Sequence, residues 1–208
     1  MITKGPRALR QPGRAWGLLS ASIFLATLAA QAVPKAVLDW QPGLAATEPW
    51  RWWTALFVHF SLLHLGANLL GLVLVATLGL SARVPWPMSA AWFAAWPLTH
   101  LALLLQPELR HYGGLSGVLH AAVAIVAVHL LTASQVPRHH RWIGGAILAG
   151  LCAKVFSESP WLGPVQHTPG WDIGVAPIAH ACGLVVGVAC ALIAAGLQRR
   201  PAGTGLHD

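Results

Sequence analysis

GLSGVLHAAVAIVAVHLLT, residues 114–132, contains no aspartate, glutamate, lysine or arginine, and it opens with a serine between two near glycines. A run of about 20 apolar residues is what an α-helix needs to cross the hydrocarbon core of a bilayer. A helix that is apolar on every side must be buried in protein or lipid. Working outward, comparable runs occupy Trp16–Val33, Val58–Leu80, Met88–Leu105, Trp142–Ser157 and Ile173–Leu197. The whole chain follows the same pattern. Of its 208 residues 56% are hydrophobic and 9% charged, with a mean hydropathy of +0.61. A water-soluble domain carries about 25% charged residues. The expectation is an all-α polytopic membrane protein. A basic segment spans residues 1–15, a six-helix bundle 16–197 and a short tail 198–208.

The formal charge of +7 does not indicate nucleic acid, because the basic residues lie in short clusters between apolar runs, where lipid headgroups are the natural neighbours. With both termini cytoplasmic, that side holds Lys4, Arg7, Arg10, Arg14, Arg83, Arg138, Arg141, Arg199 and Arg200. The other side holds Lys35, Arg51 and Arg110, and Lys154 lies within the fifth run. Asp39, Glu48, Glu108, Glu158 and Asp172 fall toward the outside, so the positive-inside rule favours this orientation. Ala30-Gln31-Ala32 after the first apolar run has the small residues of a signal-peptide cleavage site, but an uncleaved anchor fits the other five runs equally well. Cys152, Cys182 and Cys190 form no CxxC pair and read as small apolar packing residues.

In this topology the second, fourth and sixth runs all lead from outside to inside, so their polar residues come to similar depths. His64 lies roughly 9 Å and His180 roughly 10 Å from the outer ends of runs two and six, at 1.5 Å per residue. Asn68 follows His64 by one turn, on the same face. Ser116 would be shallower unless the Gly113-Gly114 connection dips inward, which glycine permits. Each of these residues alone has a structural explanation, as a helix cap or as interhelical glue. Together they fill separate chemical roles. Serine is a weak nucleophile until an imidazole takes its proton, and the developing oxyanion needs donors such as Asn, His or a backbone N–H. No acid falls at this depth in the three runs, so a Ser–His dyad is the simpler expectation. Gly183 and Gly187 make a small-residue stripe after His180 that would let this helix approach Gly117, Ala121 and Ala124 of the fourth run. No HExxH motif is present, which disfavours an intramembrane zinc protease. A proton-coupled transporter would show internal repeats or paired broken helices, and none are found.

Three stretches resemble the rhomboid family of intramembrane serine proteases: Trp50-Arg51 with Phe57-Val58-His59-Phe60-Ser61-Leu62-Leu63-His64 and Asn68; Gly114-Leu115-Ser116-Gly117; and Ala179-His180-Ala181-Cys182-Gly183 with Gly187. They occur in the family's order, and the resemblance covers nearly all of the chain from Trp50 to Leu197. It implies Ser116 as nucleophile and His180 as general base and acid. His64, Asn68 and the Ser116 N–H would stabilise the oxyanion, with Gly114, Gly117, Gly183 and Gly187 in supporting places. His59 would support from the second helix. It implies no cofactor and no metal, and membrane-anchored protein substrates cleaved near the outer face of a bacterial inner membrane. An inactive rhomboid that binds membrane clients would typically lack Ser116 or His180. The short first loop, Pro34 to Phe57, and His120, Lys154 and Glu158 are similar to rhombosortases, a bacterial subfamily associated with substrates that carry a C-terminal Gly-Gly sorting tail. Lys154 and Glu158 read equally well as an i,i+4 helix pair or as substrate contacts, and His120 as a residue propping His180. His100 and His129 have no evident partner. His111, His139, His140, His167 and His207 fall in loops or the tail.

Overall fold

The computed structural model describes residues 11–134 and 137–199. Lys4, Arg7, Arg10, Arg200 and His207 lie outside the described residues. The six runs become six long helices: α1 (Arg14–Ala30), then α4 (Leu62–Ser81), α5 (Trp86–Ala102), α6 (Ser116–Thr132), α7 (Arg138–Ser157) and α8 (Pro177–Arg199). Between α1 and α4 lie two single-turn helices, α2 (Lys35–Leu38) and α3 (Arg51–Thr54). The described residues contain no β-strand, only isolated bridges at Trp40–Tyr112 and Gln166–Val175. In lipid a backbone must satisfy its own polar groups, and a helix does so without a partner.

The helix ends differ from the apolar runs in an informative way. Runs two and six were expected to begin at Val58 and Ile173, but α4 begins at Leu62 and α8 at Pro177. Ser61 causes the later start of α4. It takes an extended conformation (φ −148°), and its side chain accepts from the His64 N–H at 3.1 Å, capping the helix. Proline, with φ set for a helix and no N–H to lose, opens α8. His64 and His180 are therefore in the first turns of their helices, rather than six or seven residues down. His59 precedes α4, so its expected place on the second helix is corrected. α7 starts at Arg138, earlier than Trp142, and α5 ends at Ala102 with a 3-10 turn at Leu103–Leu105.

α6 is central. Val118, Ala121, Ala122, Ala124, Ile125, Val126 and Ala127 are all fully buried, against α8, α7, α5 and α4. The tightest seam is with α8. A Cβ added to Gly187 would stand 2.5 Å from the Ala121 carbonyl oxygen, one on Gly117 2.8 Å from that of Ala179, and one on Gly183 would overlap the Gly117 carbonyl. The expected partners Gly117 and Ala121 thus lie at the seam. α1 is held by Trp16, whose ring fills the space a side chain on Gly79 would need, stacks on Trp92 at 4.4 Å and donates to the Val75 carbonyl at 3.0 Å. Buried tryptophans contribute large apolar areas but still require a partner for the indole N–H. Trp92 finds one at Val118 (3.1 Å) and Trp96 at Trp53 (3.0 Å).

Leu18, Leu25, Leu70, Leu74, Val185, Leu192 and Ile193 point outward and are exposed. A contiguous apolar exterior on this scale needs a non-aqueous surrounding. α4, the α5 segment through Leu105, and α8 are long and apolar enough to cross a membrane; α1 and α6 are shorter apolar helices. The free cysteines differ in setting: Cys182 is buried, Cys190 half-buried and Cys152 exposed.

Candidate active site

One end of the bundle gathers the connections 31–61, 106–115 and 158–176. Trp40 and Tyr112 exchange backbone hydrogen bonds at 2.8 and 3.0 Å, and the Gly114 N–H donates to the Ala55 carbonyl at 3.0 Å. A side chain at Gly113 would meet Val58 at 2.7 Å. Gly114 has φ +129°, a conformation that effectively requires glycine. A Cβ there would also stand 2.7 Å from His64 Nε2 and 3.9 Å from Asn68 Nδ2. The glycine pair thus draws the chain inward and starts α6 at Ser116, with His64 and Asn68 facing the turn before it. Asn68 Nδ2 donates to the His64 carbonyl at 2.9 Å, and the Phe60 N–H approaches His64 Nδ1 at 3.4 Å.

Ser116 Oγ lies 2.9 Å from His180 Nε2. The imidazole of His180 stacks on that of His120, with ring centroids 4.2 Å apart and planes within 10°. His120 Nδ1 lies 2.6 Å from the Ser116 carbonyl oxygen, which fixes its proton on that nitrogen, since a carbonyl only accepts. The single tyrosine, Tyr112, donates to the Gly114 carbonyl at 3.3 Å, and burial pushes its phenol up to about 12, so it stays neutral.

The expectation that no acid lies beside the Ser116–His180 pair does not hold. Glu158, one residue past α7, places Oε2 2.7 Å from His180 Nδ1 and Oε1 2.9 Å from Lys154 Nζ. Burial opposes its charge, but the hydrogen bonds and charges of His180 and Lys154 outweigh that effect and hold its carboxyl at about 2. The acid was sought on the second, fourth and sixth runs, whereas it arrives from the end of the fifth. Ser159 ends α7 with a left-handed backbone (φ 49°), which leaves Glu158 as the C-cap residue. The signal available in the sequence was the Lys154–Glu158 pair itself, an acid and a base at the edge of an apolar run. His120, Glu158 and His180 present nitrogen and oxygen atoms within 4.8 Å of one another, the one set among the described residues that could gather a metal ion. Lys154 Nζ already stands among them, 2.6 Å from His120 Nε2 and 2.9 Å from Glu158 Oε1.

A cavity of about 830 Å³ opens over Ser116 and His180, with His64 and Asn68 on its wall and Leu162 and Trp171 from the 158–176 connection beside it. Below these it is walled by Leu74 of α4, Val123 of α6 and Leu151 of α7. Ser61 Oγ donates to Asp172 at 2.7 Å, tying this connection to the start of α4. His59 is buried beside His64, ring centroids 4.8 Å apart, with Nδ1 3.1 Å from the Phe57 carbonyl. Of the remaining histidines only His111 borders this cavity among the described residues. His100 Nδ1 bonds the Trp52 carbonyl at 2.6 Å, His111 reaches Asp39 at 2.7 Å, and the His139 and His140 rings meet edge to face at the start of α7.

Comparison with known proteins identifies the family. The family model described as the Rhomboid domain matches residues 46–196, and the chain belongs to the rhomboid family of integral membrane proteins. Two curated relatives share its sequence. The Rhomboid protease GlpG of Photorhabdus laumondii subsp. laumondii is 33% identical over 160 residues, which cover 74% of this chain and 51% of the relative. The Rhomboid protease GlpG of Yersinia pseudotuberculosis serotype I is 32% identical over 144 residues, covering 67% and 46%. The chain spans about half the length of the curated relatives it matches.

Proposed function

We propose that the protein is an intramembrane serine endopeptidase in which Ser116 attacks a peptide bond and His180 moves the proton. The carrying observation is the 2.9 Å approach of Ser116 Oγ to His180 Nε2 in the wall of an open cavity. In the first step Ser116 Oγ bonds to the carbonyl carbon and its proton passes to His180 Nε2, while the π electrons move onto the carbonyl oxygen. Collapse of that oxyanion breaks the C–N bond, and the Nε2 proton goes to the leaving amine, which leaves an ester on Ser116. Water then repeats the sequence in reverse, and the acid leaves with Ser116 restored. His64, Asn68 and the Ser116 N–H line the side of the turn where the oxyanion would form, and preorganised donors act there without reorganisation.

The six long helices fit six membrane spans with both ends cytoplasmic. Arg14, Arg83, Arg138 and Arg141 cluster at the end of the bundle opposite Ser116, which under the positive-inside rule supports a site toward the outer, periplasmic face of a bacterial inner membrane. Substrates are single-span membrane proteins. A stable helix hides its peptide bonds, so the segment entering the cavity between α4 and α7 must unwind, and each glycine in place of alanine lowers that cost by about 1 kcal/mol. His120, Lys154 and Glu158 around His180 favour the rhombosortase-like version of this reading, with cleavage beside a C-terminal Gly-Gly pair.

The test is Ser116→Ala in purified protein presented with a single-span substrate in liposomes. Cleavage and fluorophosphonate labelling should both vanish while thermal unfolding is unchanged. Retained cleavage would overturn the nucleophile, and wild type that neither cleaves nor labels would favour an inactive client-binding protein. Comparing Gly-Gly with Leu-Leu tails separates the narrower reading, which fails if both are processed equally.

A further inference from the structure

We propose that Glu158 is the third member of the hydrolytic centre, orienting His180 through Nδ1, and that Lys154 holds that carboxylate in position. The proposal rests on the reading of Ser116 and His180 above. For His180 Nε2 to accept the Ser116 proton, the imidazole must carry its own proton on Nδ1 and so needs an acceptor on that side. Glu158 Oε2 stands there at 2.7 Å. Once Nε2 is protonated the ring is a cation, and a carboxylate held against it offsets the charge, as the acid does in other serine hydrolases.

The network around it closes on itself. Ser116 Oγ donates to His180 Nε2 and His180 Nδ1 to Glu158 Oε2. Lys154 Nζ donates to Glu158 Oε1 and to His120 Nε2, and His120 Nδ1 returns to the Ser116 carbonyl. The nucleophile's side chain and backbone are thus joined through four other residues, each with its proton assigned. Lys154 Nζ is also 3.3 Å from His180 Nδ1, but both are donors, so that contact is repulsive and the carboxylate between them compensates. An ordinary i,i+4 pair would use Lys154 and one carboxylate oxygen. The second oxygen is aimed instead at an imidazole 22 residues further along the chain. The charged and titratable groups facing His180 are His120 from α6, Lys154 and Glu158 at the end of α7, and His64 from α4 across the cavity.

The experiment measures kcat, KM and the pH–rate profile for Glu158→Gln, Glu158→Asp and Lys154→Met in liposomes, with Ser116→Ala as reference. Glu158→Gln should lose about 10²- to 10⁴-fold in kcat with little change in KM. Its acid limb should move to lower pH, because the imidazolium has lost its counter-charge. Lys154→Met should lose less, and its acid limb should move to higher pH, because a neighbouring cation is gone. Glu158→Asp should recover part of the rate. A merely structural pair would not shift the two limbs in opposite directions. Glu158→Gln that keeps kcat within about threefold and an unmoved limb overturns the proposal while leaving Ser116 and His180 standing. An active Ser116→Ala overturns both. Should Glu158→Gln fail to fold, the downfield Nδ1 proton resonance of wild-type His180, assigned by its loss in His180→Ala, decides. Its presence supports the pairing and its absence overturns it.

Discussion

Two clusters of charge lie at the same end of the helix bundle, built from nearly the same residue types. In one, Arg51 is buried between Asp39 (2.9 Å) and Glu48 (2.6 Å), donates to the Ala36 and Asp39 carbonyls, and His111 bonds the second oxygen of Asp39. In the other, His180 and Lys154 share Glu158, and His120 completes the ring to Ser116. The first cluster pins α2 and α3 together through every strong donor of a guanidinium whose side chain is 5% exposed. The second faces a cavity of about 830 Å³ and contains a hydroxyl whose proton has somewhere to go. Residue type does not separate scaffold from proposed reaction centre here. The presence of an open face and of a transferable proton does.

That distinction can be broken by substitution. Arg51→Met leaves Asp39 buried without its cation, and breaking a buried pair costs about 3–5 kcal/mol. Thermal unfolding should fall accordingly, while the activity of each molecule that remains folded is kept. If kcat falls instead, the first cluster belongs to the reaction. His64→Ala and Asn68→Ala should do the opposite, lowering kcat about 10²- to 10³-fold with little change in unfolding or KM. A rise in KM alone would make both residues packing or binding groups. The smallest effect is expected at the rim of the first cluster, where the His111 side chain is 62% exposed. Because Asp39 keeps Arg51, His111→Ala should cost only about 0.5–1.5 kcal/mol, the net worth of one hydrogen bond, and leave kcat unchanged. A larger loss would show that Asp39 depends on both of its partners.

How far the sequence could be read follows the range of each interaction. Six helices were visible because apolar runs are local, and the Gly183–Gly187 stripe because one helix face suffices to see it. Ser116 and His180 stood out by chemistry and resemblance. The start of α4 was misplaced by four residues, because the Ser61 cap competes with a continuous apolar pattern and wins. The Arg51 cluster and the contact of Glu158 with His180 were not legible for a different reason. Asp39, Arg51 and His111, like Glu158 and His180, meet only after helices and connections have packed, and nothing in the spacing announces which acid will face which base. Lys154 and Glu158 were legible as a pair, but not the second oxygen's target.

The seam between α6 and α8 also sets an order of events. Ser116 is on α6, whereas the residues proposed to activate it arrive later, Glu158 at the end of α7 and His180 on α8, 64 positions beyond the serine. A chain inserted from its N-terminus exposes the serine first as an unassisted hydroxyl. Only when Gly183 and Gly187 close against Gly117 and Ala121 does the imidazole come within reach. If Ser116 and His180 act as proposed, the centre stays silent until α8 has packed, and that packing step serves as its safety catch.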